Sequence, residues 1–410
     1  MAEGGIRALL ANRRYAFYLA SRLSLIVATQ MLSVAVGWQV YEITGQALAL
    51  GFSGLVLFVP GFLLALPGGH VADRRDRRKI LLVCHLGVTA CALLLAIIAF
   101  RGTRSLIPIY AVLAVLGIIR AFSGPAGQAL MPNLVERKEL ERAVALGSSS
   151  WQLAMIAGPS IGGALYAATG RAGVVYVACA VMALFAFGSV LAIGKPPALP
   201  EARKREPATW GTLLAGLRYV WSNRPILGTI SLDLFAVLLG GAVALLPIFA
   251  RDLLHIGPWG LGILRSAPAF GAATVAFFLA SFPLRRRAGI VMLACVLLFG
   301  LATIVFGTSR SFAVSLVALV VLGASDMISV VIRSTLIQTR TPDEMRGRVG
   351  AVNLVFIGAS NELGEFESGV TAAWLGPEAA VVVGGIGTCV VVVLWALMFP
   401  SLRKVDRLDE

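Results

Sequence analysis

Charge is scarce in this chain. Only 14% of its 410 residues are charged, where a soluble protein carries about a quarter. Histidine is scarcer still: His70, His85 and His255 lie on separate segments. The five cysteines, Cys84, Cys91, Cys179, Cys295 and Cys389, all fall inside apolar runs and share no metal-ligand spacing with the histidines. They read as small buried hydrophobes rather than disulfides or ligands. No G-x-x-x-x-G-K-[ST] loop is present, so ATP-driven work within the chain has no support. Nor does any catalytic constellation appear. The expectation is a protein without enzymatic activity, metal or cofactor.

Apolar residues fill the space that charge leaves. They make up 58% of the chain and gather in runs of about 20 residues or more, enough to cross a hydrocarbon layer of about 30 Å. Twelve spans are predicted: 15–41, 47–71, 78–100, 105–131, 143–168, 173–194, 225–250, 258–284, 289–308, 312–338, 347–374 and 378–399. A cleavable signal peptide is not expected, because the first run is too long and no A-x-A-like site ends it. The net charge of +14 does not indicate a nucleic-acid partner. The basic residues sit in short patches between apolar runs, where they are retained on the cytoplasmic side. Patches on one side hold 26 Lys and Arg; the other side holds five, Arg101, Arg104, Arg171, Arg251 and Arg310. That asymmetry predicts cytoplasmic termini, an even number of spans and a bacterial inner-membrane location.

The Pro- and Lys/Arg-rich stretch 195–224 divides the chain. Expected domains are a six-helix bundle over 1–194, a cytoplasmic linker over 195–224 and a second six-helix bundle over 225–410. The fold class is all-α: twelve transmembrane helices in two pseudo-twofold-related bundles. A repeat supports the division. At an offset of 206, Val115-Leu116-Gly117 meets Val321-Leu322-Gly323, Ser123 meets Ser329, Leu130 meets Leu336 and Arg142 meets Arg348. Transporters built from two parallel repeats carry such symmetry, with the substrate site between the halves. The eleventh span is the weakest, since it holds Glu362, Glu365 and Glu367. It spans only if these face protein or water, because each central carboxylate costs about 2.5–3.5 kcal/mol.

After the second span runs Gly69-His70-Val71-Ala72-Asp73-Arg74-Arg75-Asp76-Arg77-Arg78. It resembles the signature loop of the major facilitator superfamily, G-x-L-A-D-R-x-G-R-R. Asp73, Arg74, Arg77 and Arg78 match, while Asp76 stands where the family has glycine. Leu116-x3-Arg120-x3-Gly124 resembles the superfamily's intramembrane arginine motif, and Gly158-Pro159-Ser160-Ile161-Gly162-Gly163 the flexible G-P-x-x-G-G of its exporters. The alternative for the last is ordinary small-residue packing. The segments 37–45, 341–349 and 361–369 look like the macrolide-efflux and enterobactin-exporter branch of drug:proton antiporters. The resemblance implies a latch, with Asp73 near a helix N-terminus and the arginines. It also implies a proton-coupled exporter that works by alternating access. It leaves open an uptake symporter, a lipid flippase or a transport-silent sensor. The implied partners are a small amphipathic molecule (a drug or siderophore), protons and the lipid bilayer, with the protein a monomer.

Intramembrane charges are functional candidates by default. Arg22, Arg120, Asp233 and Asp326 fall in one layer toward the cytoplasmic face, by the rise of about 1.5 Å per residue. Their arginines lie in the first half and their aspartates in the second. Equivalent repeat positions thus carry opposite charges, which predicts ion pairs between the halves, a gate lining the cavity. Arg265, Glu362 and Glu365 form an outer layer. One arginine against two carboxylates leaves one of them as the expected proton carrier. Arg333 and Glu367, nearer the boundaries, are expected to snorkel. Trp38, Tyr41, Trp259 and Trp374 are expected as interface anchors, and Trp151 as a cavity residue.

Overall fold

The structure is a computed structural model that describes residues 6–194, 210–282 and 286–406. The stretch 195–209, Arg285 and Arg407, all counted above in basic patches, lie outside the described residues. Among the described residues all regular structure is helical. Contacts divide the chain into two units, one of 1–39 with 56–208, the other of 40–55 with 209–410.

The first unit begins with α1 (Ile6–Ala11) and the long α2 (Arg13–Thr44), which it shares with the second unit. Next come α3 (Ala47–Leu63, also shared), α4 (Ala65–Arg74), α5 (Arg77–Phe100), α6 (Ile107–Leu130), α7 (Leu140–Thr169) and α8 (Ala172–Ala192). Helices α3 and α4 meet at 48°. Pro67 explains the bend: it has no N–H for the Leu63 carbonyl, and its ring crowds that carbonyl. Asp76 starts α5, its side chain accepting from the backbone N–H groups of Arg78 and Lys79. Gly170, at φ 65°, ends α7 in the left-handed conformation that glycine adopts freely. Tyr15, Leu81, Leu130, Ala143 and Val190 form the buried cluster at one end of this unit.

The second unit holds α9 (Trp210–Ser222), α10 (Arg224–Leu239), α11 (Leu246–Ile248), α12 (Gly257–Ser281) and α13 (Ala288–Thr308). It continues through α14 (Phe312–Arg340), α15 (Asp343–Leu375), α16 (Pro377–Met398) and α17 (Pro400–Arg403). The sequence puts 195–224 in a linker, but Trp210–Ser222 is a helix. Val220 is buried with Ile226, Ile337 and Val349, and Leu217 packs against them. The seventh span is not one helix either. It breaks at Gly240–Gly241 and resumes through a 3-10 turn, α11 and a π-turn over Phe249–Leu253. A Cβ on Gly241 would lie 2.7 Å from Ser368 Oγ, so glycine lets α15 close in.

Among the described residues nine helices, ten with the bent pair, are long and apolar enough to cross a membrane. Helices α7 and α15, with 30 and 33 residues, have the length but less apolar sequences. For α15 the three glutamates explain this. For α7 it is Glu141, Arg142 and the polar run Gly147-Ser148-Ser149-Ser150. Val83, Val181, Phe277 and Trp374 are each more than 60% exposed, as side chains facing lipid are and those of a soluble surface are not.

The repeat is visible inside each unit. In the first, Gly117 of α6 packs on the Leu57 carbonyl of α3. In the second, Gly323 of α14 packs on the Pro268 carbonyl of α12. Gly117 and Gly323 are the pair aligned at offset 206; Leu57 and Pro268 stand 211 apart. One backbone contact is therefore built twice.

Candidate functional site

Two of the expected gate and cavity charges, Arg22 and Asp233, sit in local arrangements within their own units. In the first unit, Arg22 of α2 hydrogen-bonds the Tyr18 hydroxyl. Its guanidinium lies against α7, 3.4 Å from where a Cβ on Gly147 would sit. Tyr18 in turn donates to the Gly127 carbonyl of α6 at 3.0 Å. Arg120 is exposed on α6. In the second unit, Asp233 of α10 is ion-paired with Arg333 of α14. This corrects two expectations. Asp233 takes its partner from its own half, not from Arg22 or Arg120. Arg333 does not snorkel: it is 3% exposed, a core residue.

A narrow cleft adjoins that pair. It is lined by Asp233 and Val237 of α10, Phe299 of α13, and Ser325, Asp326 and Ser329 of α14. Ser325 and Ser329 are each 2% exposed, and neither hydroxyl has a hydrogen-bond partner among the described residues. Asp326, Ser329 and Arg333 recur at spacings of three and four, one face of α14. That face, and hence the role of Arg333, could have been read from the sequence by periodicity rather than depth alone.

The outer-layer glutamates come together on α15. A Cβ on Gly54 of α3 would lie 2.8 Å from Glu365 Oε2 and 3.7 Å from Glu362 Oε2. Nearby, Gly51 and Gly369 bring α3 and α15 into backbone contact, and the Phe52 and Phe366 rings meet edge-on at 5.3 Å. Arg265 of α12 is half-buried. Along the same unit Tyr41 donates its hydroxyl to Asp252, and Arg251 stacks over the Tyr41 ring at 5.6 Å. Tyr41 is thus buried, not an interface anchor. It lines a cavity of about 500 Å³ with Gln46, Leu48, Ile248, Asp252 and Ala372, a feature no sequence motif announced. Trp38 packs inside the first unit on Tyr166, while Trp151, Trp259 and Trp374 are exposed.

At the loop after α4, Asp76 and not Asp73 occupies the helix N-terminus. Asp73 is exposed and has no ion pair among the described residues. Gly69 has open space around it. Arg78 donates to the carbonyls of Val190 and Leu191, at 3.1 and 2.9 Å, and so ties α5 to the end of α8. Arg77 buries its Nε without a partner among the described residues, and Arg74 is exposed. On α7, Gly158 and Gly162 lie against the backbone of Val27 and Met31 of α2, with Pro159 and Gly163 also buried. The glycines of this motif serve close helix packing here.

The chain is similar to known proteins along most of its length. Residues 9–410 match the family model described as transmembrane secretion effector, of the major facilitator type. The enterobactin exporter EntS of Citrobacter koseri is 29% identical over 394 residues, covering 95% of this chain and 92% of that protein. EntS of Shigella boydii is 28% identical over 393 residues, with the same coverage. Solved structures share the fold at low identity. A bacterial homologue of the lysosomal transporter Spinster, inward-facing and occupied, superposes with a TM-score of 0.71 at 14% identity over 97% of both chains. A bacterial homologue of the iron transporter ferroportin, inward-facing, gives 0.71 at 15% over 96% of this chain and 99% of that one. The chain is a multi-pass membrane transporter of the major facilitator fold and belongs to the transmembrane secretion effector family.

Proposed function

We propose that this transporter is a proton-coupled exporter of an amphipathic small molecule, drug- or siderophore-like, in a bacterial inner membrane. The observation that carries the reading is its end-to-end similarity to enterobactin exporters, 95% of the chain aligned. The basic asymmetry of 26 against five supports cytoplasmic termini. In this reading the protein acts as a monomer in the bilayer and performs no catalytic step. Two six-helix halves, joined through the central basic stretch, alternate access to the substrate.

The outer carboxylates are the proposed link to protons. Glu362 and Glu365 are three apart, so they share a face of α15, and both reach Gly54. Protons bound there from outside remove charge from a contact that must close and reopen during the cycle. The test is a deletion strain assayed for accumulation of catecholate siderophores and amphipathic drugs, with and without a protonophore. Export restored by the wild-type gene and abolished by the protonophore supports the reading. Export that ignores the protonophore, or no export of any compound, rejects it. Within a working assay, Glu362→Gln and Glu365→Gln should each weaken pH-gradient-driven transport.

A further inference from the structure

The cleft beside Asp233 has a charge count that does not close. Arg333 neutralises Asp233. Asp326 shares the cleft and has no hydrogen bond or ion pair among the described residues. Two carboxylates and one guanidinium leave a charge of −1. Beside it are the hydroxyls of Ser325 and Ser329, nine-tenths and more buried, with no partner among the described residues. Orphaned buried hydroxyls cost free energy unless something occupies the site for part of the time. A negative charge and two waiting hydroxyls call for a small monovalent cation.

The surroundings define which cation. Charged groups on each element packed nearby are few. Helix α10 contributes Asp233, with Arg224 at its start; α14 contributes Asp326 and Arg333, with Arg340 at its end; and α13 has no charged residue along Ala288–Thr308. Helix α12 carries Arg265 alone, and α16 only Glu378 in its first turn. Helix α15 carries Asp343, Glu344, Arg346 and Arg348 at its start and Glu362, Glu365 and Glu367 in its second half; none of these lines the cleft. The cleft has a volume of about 10 Å³, roughly the room of one water. A sodium ion would need several oxygen ligands in that space, and one of the two carboxylates is already committed to Arg333. Among the described residues no three His, Cys, Asp or Glu converge as metal ligands. A proton adds charge without adding volume.

We infer that Asp326, with Ser325 and Ser329, forms a proton-binding site of the second unit, distinct from the glutamates on α15. One O–H bond forms on the Asp326 carboxylate as one O–H bond of a hydronium ion entering the cleft breaks, and neutral water leaves. The cleft goes from −1 to neutral. The new carboxyl O–H donates to a serine oxygen, and the serine hydroxyls gain a partner. Only the use of this proton in transport rests on the exporter reading above; the binding does not.

The test needs no substrate. Full-length protein in lipid nanodiscs is titrated with acid and followed by infrared difference spectroscopy of the carboxyl C=O stretch. The wild type should gain a band on acidification that Asp326→Asn lacks. Ser325→Ala with Ser329→Ala should keep the band but move it to higher frequency, as expected for a carboxyl that has lost hydrogen bonds. This second variant keeps both charges and reads the site even if Asp326→Asn does not fold. An unchanged band in Asp326→Asn overturns the proposal. So does an unshifted band in the double serine variant. Loss of the wild-type band when sodium replaces choline in the buffer overturns it in favour of a sodium site. Export that proves insensitive to protonophore would remove the exporter reading while leaving the infrared result standing.

Discussion

Asp233 and Arg333 form an ion pair sealed inside one unit, 5% and 3% exposed. The pair joins α10 to α14 next to the cluster of Leu232, Met292, Ile332 and Leu336. Buried pairs are weak stabilisers when intact and costly when halved. Arg333→Met should therefore destabilise the protein by about 3–5 kcal/mol, because Asp233 is stranded. Asp233→Leu combined with Arg333→Met should recover most of that loss. Thermal unfolding of the purified protein measures both. A loss in the double variant equal to the sum of the losses in Arg333→Met and Asp233→Leu alone would mean that the two residues act independently.

The duplicated glycine contact makes a paired prediction. Gly117→Val and Gly323→Val each push a side chain into a backbone carbonyl, of Leu57 and Pro268 respectively. Each should cost about 1–3 kcal/mol through overpacking. Gly188 of α8 has nothing within 4 Å of a built Cβ. Gly188→Ala should be neutral or stabilising by up to about 1 kcal/mol, since alanine favours helix. Unfolding midpoints of the three variants in one detergent decide the matter.

At the loop between α4 and α5, the two aspartates should separate by phenotype. Asp76→Ala removes the α5 cap and should lower stability by about 0.5–2 kcal/mol. Asp73→Asn removes an exposed charge and should leave stability unchanged. If Asp73 serves the proposed latch, it should lose transport while inserting and folding normally. Full transport in a variant lacking both acidic groups would dispose of the latch.

His255 is exposed just beyond the π-turn. With cytoplasmic termini it should lie outside. His255→Cys in a variant with the five native cysteines replaced should react with an impermeant maleimide added to intact spheroplasts. Labelling only after the membrane is opened would invert the topology.

Helix positions were legible because a hydrocarbon layer demands long apolar runs, and such runs are plain in sequence. The breaks were harder. The Gly240–Gly241 interruption lies within an unbroken apolar run, so hydropathy passes over it; only the adjacent glycines hinted at a close neighbour. Helix α9 was hidden by the basic, proline-rich residues before it, although Leu217 and Val220 stand three apart on one face. Arg333 was misread because distance along a helix gives depth, not direction. Its spacing of seven from Asp326 gave the direction. Tyr41 and Asp252 are 211 residues apart, and nothing local to either marks them as partners.

The grouping of Val40–Leu55 with the second unit has a consequence for how the polypeptide can be divided. A cut in the central basic stretch would leave this hairpin on the N-terminal fragment. Its packing surface, Phe366 and Gly369 of α15, would go with the C-terminal one. Each fragment made alone would then present lipid with a face shaped for backbone contact, and the C-terminal one with the carboxylate of Glu365 as well. Two such fragments co-expressed from separate messages have a built-in reason to find each other in the bilayer. Neither should accumulate stably by itself.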